Sequence, residues 1–485
     1  MPDKTTDTDQ PSPPGKAPVI GLWLGLLWVL MVLIIPAPQG MSGSAWHCIG
    51  LALLMATWWS TEAIPIPATS LLPIILAPAM GIGSLKDVTS AYADPIIYLF
   101  LGGFLLGLAM QRWNLHRRIA LRILIIVGSD PKRQIGGFML ATGFISMWVS
   151  NTATAIMMLP IGTSVIALLS TSNESEVRRY ATTLLLAIAY SASIGGVATL
   201  IGTPPNALLA GYLSNNQNID IGFAQWMIVG LPVSIAMMLL AWWWLTREDF
   251  DLGQGDAGDN LLKEELAKLG AMSSAEKRVG IAFLVAAAAW IVRPLLNNLG
   301  LDWLSDTTIA MTVGIGLFLT PSGTSKKEKL MDWESSSSLP WGVLLLFGGG
   351  LALAGIIQSS GLASWIAEQL SLFSVFPLVG LIAVVVLVII FLTEVTSNTA
   401  TAAAFLPLLG ALAISLGLSP LLITVPAAIA ASCAFMMPVA TPPNAIVFAT
   451  GQMKIQSMIR AGLFLNLAGT VIITLLVYML VSLLW

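Results

Sequence analysis

Charge is the scarcest thing in this chain: Asp, Glu, Lys and Arg make up 10% of 485 residues, against 56% hydrophobic. A soluble domain carries about 25% charged residues. So few charges cannot cover a water-facing surface of this size, so most of that surface must face lipid. The mean hydropathy of +0.85 agrees. Cysteine and histidine are nearly missing, at two each. Cys48 and Cys433 lie far apart in apolar runs and form no Cys-x-x-Cys, so neither a metal site nor a disulfide framework is suggested; they read as small buried thiols. His47 and His116 fall near the ends of apolar runs and read as neither ligand nor base. The apolar runs hold no His-Glu-x-x-His, no acid pair and no Ser–His or Ser–Lys pair, so no intramembrane enzyme is indicated. No charge ring or carbonyl filter marks a channel. The net charge of -3 points to no class of partner.

What the chain has is apolar length. The first eighteen residues are polar and rich in Pro and Asp, and read as a disordered cytoplasmic tail without the marks of a signal peptide. The run from Val19 to Ile35 then reads as a first transmembrane helix, in a segment 19–43 that stands apart from the rest of the chain. A bilayer crossing takes about 20 apolar residues. Such runs occur near 19–37, 44–60, 64–81, 95–111, 180–212, 223–246, 278–296, 305–320, 340–357, 421–451 and 457–484. The expected fold class is an all-α polytopic membrane protein with these eleven transmembrane helices. Two further apolar stretches, 134–170 and 375–417, are each interrupted midway by Ser-Asn-Thr-Ala-Thr. Each is long enough for two short helices folded back at a tip, and both read as re-entrant hairpins. Irregular backbone at membrane depth is tolerated only where it lines a cavity or is buried in protein.

Basic residues orient the chain. Arg112, Arg117, Arg118, Arg122, Lys132 and Arg133 crowd one connection with a single acid, Asp130, which places it in the cytoplasm. A polar linker, 248–277, divides the chain near its middle and carries a candidate amphipathic helix near 260–270. Lys326, Lys327 and Lys329 mark another cytoplasmic loop. With eleven spans the N-terminus lies inside and the C-terminus outside, in a cell membrane of the bacterial inner-membrane type.

The two halves, 44–247 and 278–485, read as repeats. Leu-Phe-Leu-Gly-Gly-Phe at 99–104 answers Leu-Leu-Phe-Gly-Gly-Gly at 345–350, Ser-Asn-Thr-Ala-Thr at 150 answers 397, and Thr-Pro-Pro-Asn-Ala at 203–207 answers 441–445. The first half has its basic cluster between Gly-rich helix and hairpin; the second has no Lys or Arg from Leu330 to Met453. That asymmetry is expected if the same element faces opposite sides of the membrane in the two halves. Inverted repeats with paired interrupted helices are a mark of secondary transporters.

Ser-Asn-Thr supplies hydroxyls, an amide that donates to a carboxylate, and a carbonyl oxygen that ligates a cation. Ser is also a good N-cap, which puts the motif where a loop opens a helix, and a helix N-terminus favours an anion. Thr-Pro-Pro-Asn removes two backbone donors and breaks a helix, freeing carbonyls for a hard cation such as sodium. No guanidinium or ammonium stands near the second motif. A buried dianion would then need bound cations as counter-charge. Glu394 lies in the same apolar run, with Met147 as its counterpart; a hydrogen-bonded structural acid is the favoured reading over proton coupling. Glu62 reads as a tether of the third span to the protein core.

At these residues the chain resembles the divalent anion/sodium symporter family of di- and tricarboxylate carriers, the INDY-type carriers. The resemblance rests on Thr61-Glu62-Ala63-Ile64-Pro65, Gly102-Gly103, Ser150-Asn151-Thr152, Gly202-Thr203-Pro204-Pro205-Asn206, Leu392-Thr393-Glu394, Ser397-Asn398-Thr399 and Ala440-Thr441-Pro442-Pro443-Asn444. It implies sodium-coupled import of C4-dicarboxylates such as succinate, malate and fumarate by a homodimer working as an elevator. The alternative within the fold is a sodium-independent exchanger or a carrier of citrate or sulfate. It implies one sodium site at Ser146, Ser150, Asn151 and Gly202 and a second at Thr393, Thr396, Asn398 and Ala440, with no organic cofactor. The substrate carboxylates are implied to meet Asn151, Thr152, Asn398 and Thr399, with Ser150, Ser397, Thr203, Thr441 and Pro442 around them.

Overall fold

In lipid, a helix is the way an apolar segment satisfies its own backbone. The computed structural model describes residues 16–169, 174–252, 257–324, 328–370 and 377–485. Among these the regular structure is helical throughout, apart from one isolated bridge between Pro321 and Lys329. The helices are α1 (Lys16–Ile34), α2 (Gly43–Thr61), α3 (Ile66–Thr69), α4 (Leu72–Ala79), α5 (Leu85–Ser90), α6 (Pro95–Arg112), α7 (Leu115–Val127), α8 (Pro131–Ser146), α9 (Asn151–Leu168), α10 (Glu174–Gly196), α11 (Pro204–Gln217) and α12 (Phe223–Leu245). After α13 (Ala257–Lys268) come α14 (Ser274–Asn298), α15 (Asp306–Leu319), α16 (Trp341–Ser359), α17 (Leu362–Leu370), α18 (Leu378–Thr393), α19 (Asn398–Ser415), α20 (Leu421–Ala431), α21 (Pro442–Phe448) and α22 (Ile455–Leu484). Eight candidate spans are long and apolar enough to cross a membrane, among them α1, α12, α14 and α22.

Both stretches carrying Ser-Asn-Thr-Ala-Thr are pairs of helices, α8–α9 and α18–α19, parted at 147–150 and 394–397. Both stretches carrying Thr-Pro-Pro-Asn are also broken, between α10 and α11 and between α20 and α21. The linker helix α13 falls where the sequence suggests an amphipathic helix.

Four expectations need correction. The polar tail stops short of residue 18, because α1 already begins at Lys16; the rest of that tail lies outside the described residues, as do Lys326 and Lys327, residue 170 and residues 375–376. The third span, 64–81, is two short helices, because Pro67 and Pro73 each stand in the first turn of a new one. The basic connection after α6 holds a helix, α7, which buries Ala120, Leu121 and Leu124 on one face. Its counterpart α17 is likewise absent from the sequence reading. Glu62 is exposed at the left-handed end of α2, with a φ of 48°, and has no partner among the described residues, so it tethers nothing.

α7 is fastened to the linker by Arg118. Its guanidinium is buried and donates to Glu276 Oε1 at 2.7 Å, Gly270 O at 2.9 Å and Leu269 O at 3.2 Å. Glu276 also closes a capping box with Ser273 at the start of α14. Glycines allow the closest crossings. A Cβ on Gly102 of α6 would lie 2.5 Å from the Ala310 carbonyl carbon of α15, and one on Gly195 of α10 would lie 2.3 Å from Gly143 O of α8.

Candidate functional site

The four breaks supply the site. α8 ends at Ser146 and α9 opens at Asn151, with Ser150 as N-cap accepting from Ala153 N at 3.3 Å. Ser146 Oγ lies 2.6 Å from Ala192 O and 2.7 Å from the side-chain amide of Asn151. That amide also faces Ala192 O at 3.1 Å and Gly202 O at 3.3 Å. With its nitrogen turned inward it donates to all three oxygens. With its oxygen turned inward, one hydroxyl, one amide oxygen and two backbone carbonyls converge, a donor set suited to a hard cation.

The second half repeats this node. Thr393 Oγ1, at the end of α18, lies 2.7 Å from Asn398 Oδ1 and 3.0 Å from Ala431 O, at the end of α20, and its one proton goes to either. Ser146 and Thr393 are fully buried, whereas Asn151 and Asn398 are half-buried, so each node has a sealed back and an accessible front. Thr396 turns away from it and engages Leu392 O at 2.9 Å and Thr401 Oγ1 at 2.6 Å. Ala440 N closes a turn on Met437 O at 3.2 Å.

Of the residues read as substrate ligands, Thr152 and Thr399 have no side-chain hydrogen bond among the described residues, and neither does Ser397. Their hydroxyls remain for a ligand. Thr441 Oγ1 accepts from Asn444 N at 3.3 Å, and Pro442 is exposed at the start of α21. Thr203 Oγ1 sits 3.2 Å from Ser432 Oγ, both buried. That contact joins the first half to the second. Sequence reasoning misses Ser432, although it is the first polar residue past an apolar helix.

The role given to Thr-Pro-Pro-Asn changes. The prolines do not interrupt a helix from within; they occupy the first turns of α11 and α21, where a missing N–H costs nothing. The unwound stretches precede them, and the Asn of each motif holds those stretches in place. Asn206 Nδ2 donates to Thr199 O at 2.8 Å and Val197 O at 3.2 Å, and Asn444 Nδ2 to Ala434 O and Met437 O, each at 3.1 Å. Part of the freed carbonyl set is therefore already satisfied.

Glu394 is the largest asymmetry. Buried at the tip of α18, its Oε1 accepts from Phe435 N at 2.7 Å, Met436 N at 2.9 Å and Asn466 Nδ2 at 2.7 Å, and its Oε2 from Met437 N at 2.9 Å. It ties the α18–α19 tip to the α20–α21 break and to α22. In the first half Thr199 Oγ1 donates to Met147 O instead. The tips also differ in cover. Trp148 packs edge-on against Phe283 of α14 at 4.7 Å, whereas its counterpart Val395 is 65% exposed. Among the described residues no Lys, Arg or His side chain bonds to any of these groups.

Gly196 and Gly202 are fixed by crowding. A Cβ on Gly196 would lie 2.7 Å from Asn151 Oδ1, and one on Gly202 would lie 2.3 Å from Gly196 O. Backbone cannot step aside cheaply, so Gly202→Ala is expected to displace Asn151 and to destabilise the fold by about 1–3 kcal/mol. A variant that melts with the parent protein would contradict the packing described.

The family described as "Sodium:sulfate symporter transmembrane region" matches residues 16–485. A protein named sodium-dependent dicarboxylate transporter SdcS, from Staphylococcus saprophyticus, is 45% identical over 479 residues, 96% of this chain and 91% of its own. The protein of the same name from Staphylococcus aureus strain USA300 is 45% identical over 473 residues, 95% of this chain and 90% of its own. Two solved structures share the fold at 13% identity. They are MtrF of Neisseria gonorrhoeae, with a TM-score of 0.58 and 96% of this chain and 95% of that one covered, and YdaH of Alcanivorax borkumensis, with 0.54, 97% and 99%.

Proposed function

This chain belongs to the sodium:sulfate symporter family, and on that footing we propose that it is a sodium-coupled importer of dicarboxylates. C4 acids such as succinate, malate and fumarate are the substrates assigned. The observation that carries the reading is the matched pair of oxygen nodes, Ser146–Asn151–Ala192–Gly202 and Thr393–Asn398–Ala431, set at the openings of α9 and α19. Sodium is cargo here. Each ion is held by neutral oxygens at the buried back of a node. The amides of Asn151 and Asn398 and the hydroxyls of Thr152 and Thr399 face the substrate at the front.

Coupling follows from charge. A dianion brought into a low-dielectric site without counter-charge loses far more hydration energy than neutral donors return. With no Lys, Arg or His in the site, the sodium ions and the N-termini of two eighteen-residue helices, α9 and α19, supply the positive field. Of the remaining residues, Thr203, Thr441 and Pro442 shape the cavity, Ser150 caps α9, Ser397 stands at the opening of α19 with its hydroxyl free for a ligand, Ala440 completes the second ion site, and Thr396 steadies the tip beside it through Thr401. The two SdcS relatives, named for sodium-dependent dicarboxylate transport, support the same reading.

In the membrane we assign α8–α9 and α18–α19 as re-entrant hairpins entering from opposite faces, within two inverted repeats at 44–247 and 278–485 and eleven spans. The N-terminus is cytoplasmic and the C-terminus external. The assembly is a homodimer whose hairpin-bearing half moves as an elevator against α2, α6, α14 and α16. The test is uptake of labelled succinate into proteoliposomes with inward sodium, with inward potassium, and with sodium on both sides. Accumulation above equilibrium is expected only with inward sodium. Uptake indifferent to sodium would favour an exchanger, and uptake of sulfate or citrate without succinate would reassign the substrate.

A further inference from the structure

One basic surface takes no part in the transport site. Between the end of α12, the start of α10 and the start of α22 lies an open cleft of about 360 Å³, lined by Arg179, Arg247 and Arg460 with Trp244, Phe250 and Glu248. It adjoins a larger hollow of about 1090 Å³ that shares Arg179 and adds Arg178 and Lys454. The chain has few cations and five of them gather here; Arg178 and Arg179 are paired with Glu174, Glu176 and Glu248, whereas Lys454 has no ion pair among the described residues. Glu248 is divided between Arg179, at 3.0 Å, and Arg247, at 3.7 Å. Arg460 is exposed and has no ion-pair or hydrogen-bond partner among the described residues.

The arginines are arranged around aromatic rings. Arg247 lies over Trp244, 3.8 Å from the ring centroid, and Trp244 stacks on Phe464 of α22 at 3.8 Å and 14°. Arg460 is one helical turn before Phe464 and shares its face. Arg247 and Arg460 thus flank one aromatic pair, and stacked Trp at a helix end marks the depth of the membrane–water interface. Below that level the two helices are apolar and uncovered. Ile235, Leu239 and Trp243 on α12, and Leu463, Leu467, Val471 and Leu475 on α22, are exposed at successive turns. The stripes run up to the cleft. A ligand matching both parts is amphiphilic, with an anionic head at the arginines and acyl chains along the stripes.

We propose that this cleft binds the phosphate headgroup of an anionic phospholipid. Arg247 and Arg460 hold the phosphate oxygens, and Lys454, exposed and without an ion pair among the described residues, widens the positive field. A free phosphate would use the same head contacts but would gain nothing from the stripes. The site also bears on α22 two turns from Asn466, which is bonded to Glu394, so the lipid steadies a helix that supports the transport site.

The test is the full-length protein in nanodiscs of phosphatidylcholine with a minority of phosphatidylglycerol, with retained lipid counted by native mass spectrometry. Preferential retention of phosphatidylglycerol is expected. Arg247→Gln and Arg460→Gln should each lower its apparent affinity by about fivefold, Arg247→Lys and Arg460→Lys should keep most of it, and phosphatidylcholine binding should not change. Equal phosphatidylglycerol retention by the double glutamine variant would overturn the proposal. So would displacement of the lipid by millimolar inorganic phosphate, which would make the site one for a free anion. Neither readout requires transport, so this proposal and the transport reading fail independently.

Discussion

Asn151→Ala and Asn398→Ala each abolish sodium-dependent uptake while the protein remains folded. Each asparagine touches its buried hydroxyl at 2.7 Å and presents its amide at a helix opening. In the proposed carrier it is shared between ion and substrate, and alanine removes both contacts. A hydrogen bond to a charged partner contributes about 1.5–3 kcal/mol. Loss of two such contacts predicts a fall of about 100-fold or more in uptake at fixed substrate. Both side chains are half-buried, so truncation leaves no large cavity, and size-exclusion profiles should match the parent protein. Near-normal sodium-driven uptake in both variants would refute the site.

Glu394→Ala acts on stability as much as on transport. It leaves three backbone N–H groups, buried at Phe435 and half-buried at Met436 and Met437, and the buried Asn466 amide without their acceptor. An unsatisfied buried donor costs about 1–3 kcal/mol. Even partial relaxation leaves a loss comparable to the lower part of the ~5–15 kcal/mol by which folded proteins are stable. Glu394→Gln keeps one acceptor oxygen but turns an NH2 toward donors, so it should fall between the two. The expected order of melting temperatures, followed by fluorescence-detected size exclusion, is parent, glutamine, alanine. A proton-coupling acid would give another pattern: intact melting with an altered pH dependence of uptake. An alanine variant that melts with the parent would refute the anchoring role.

The sequence makes the breaks legible because each carries a doubled motif, and a doubled motif is visible without coordinates. The hydroxyls behind them, Ser146 and Thr393, are reachable once the repeats are aligned. Contacts between residues far apart in the chain are not legible. Glu394 stands out as an acid among apolar residues, but nothing local points to the three amides more than forty residues onward. Asn206 and Asn444 are visible within their motifs, yet whether an amide holds a carbonyl or leaves it free depends on how the unwound segment folds back. α7 is hidden by its own charge: three of the six basic residues counted in this connection lie within it and obscure the helical spacing of Ala120, Leu121 and Leu124. α17 escapes because nine residues do not register as a span.

The hydroxyl contact between Thr203 and Ser432 bears on stoichiometry. It is one point where the two halves of the site touch, at 3.2 Å and wholly buried. Drawing the halves apart would strand two hydroxyls in an apolar interior, at about 1–3 kcal/mol each. The contact thus favours joint movement of the two halves. In the proposed carrier, the two nodes then cross the membrane as one body, and their contents travel as a single load.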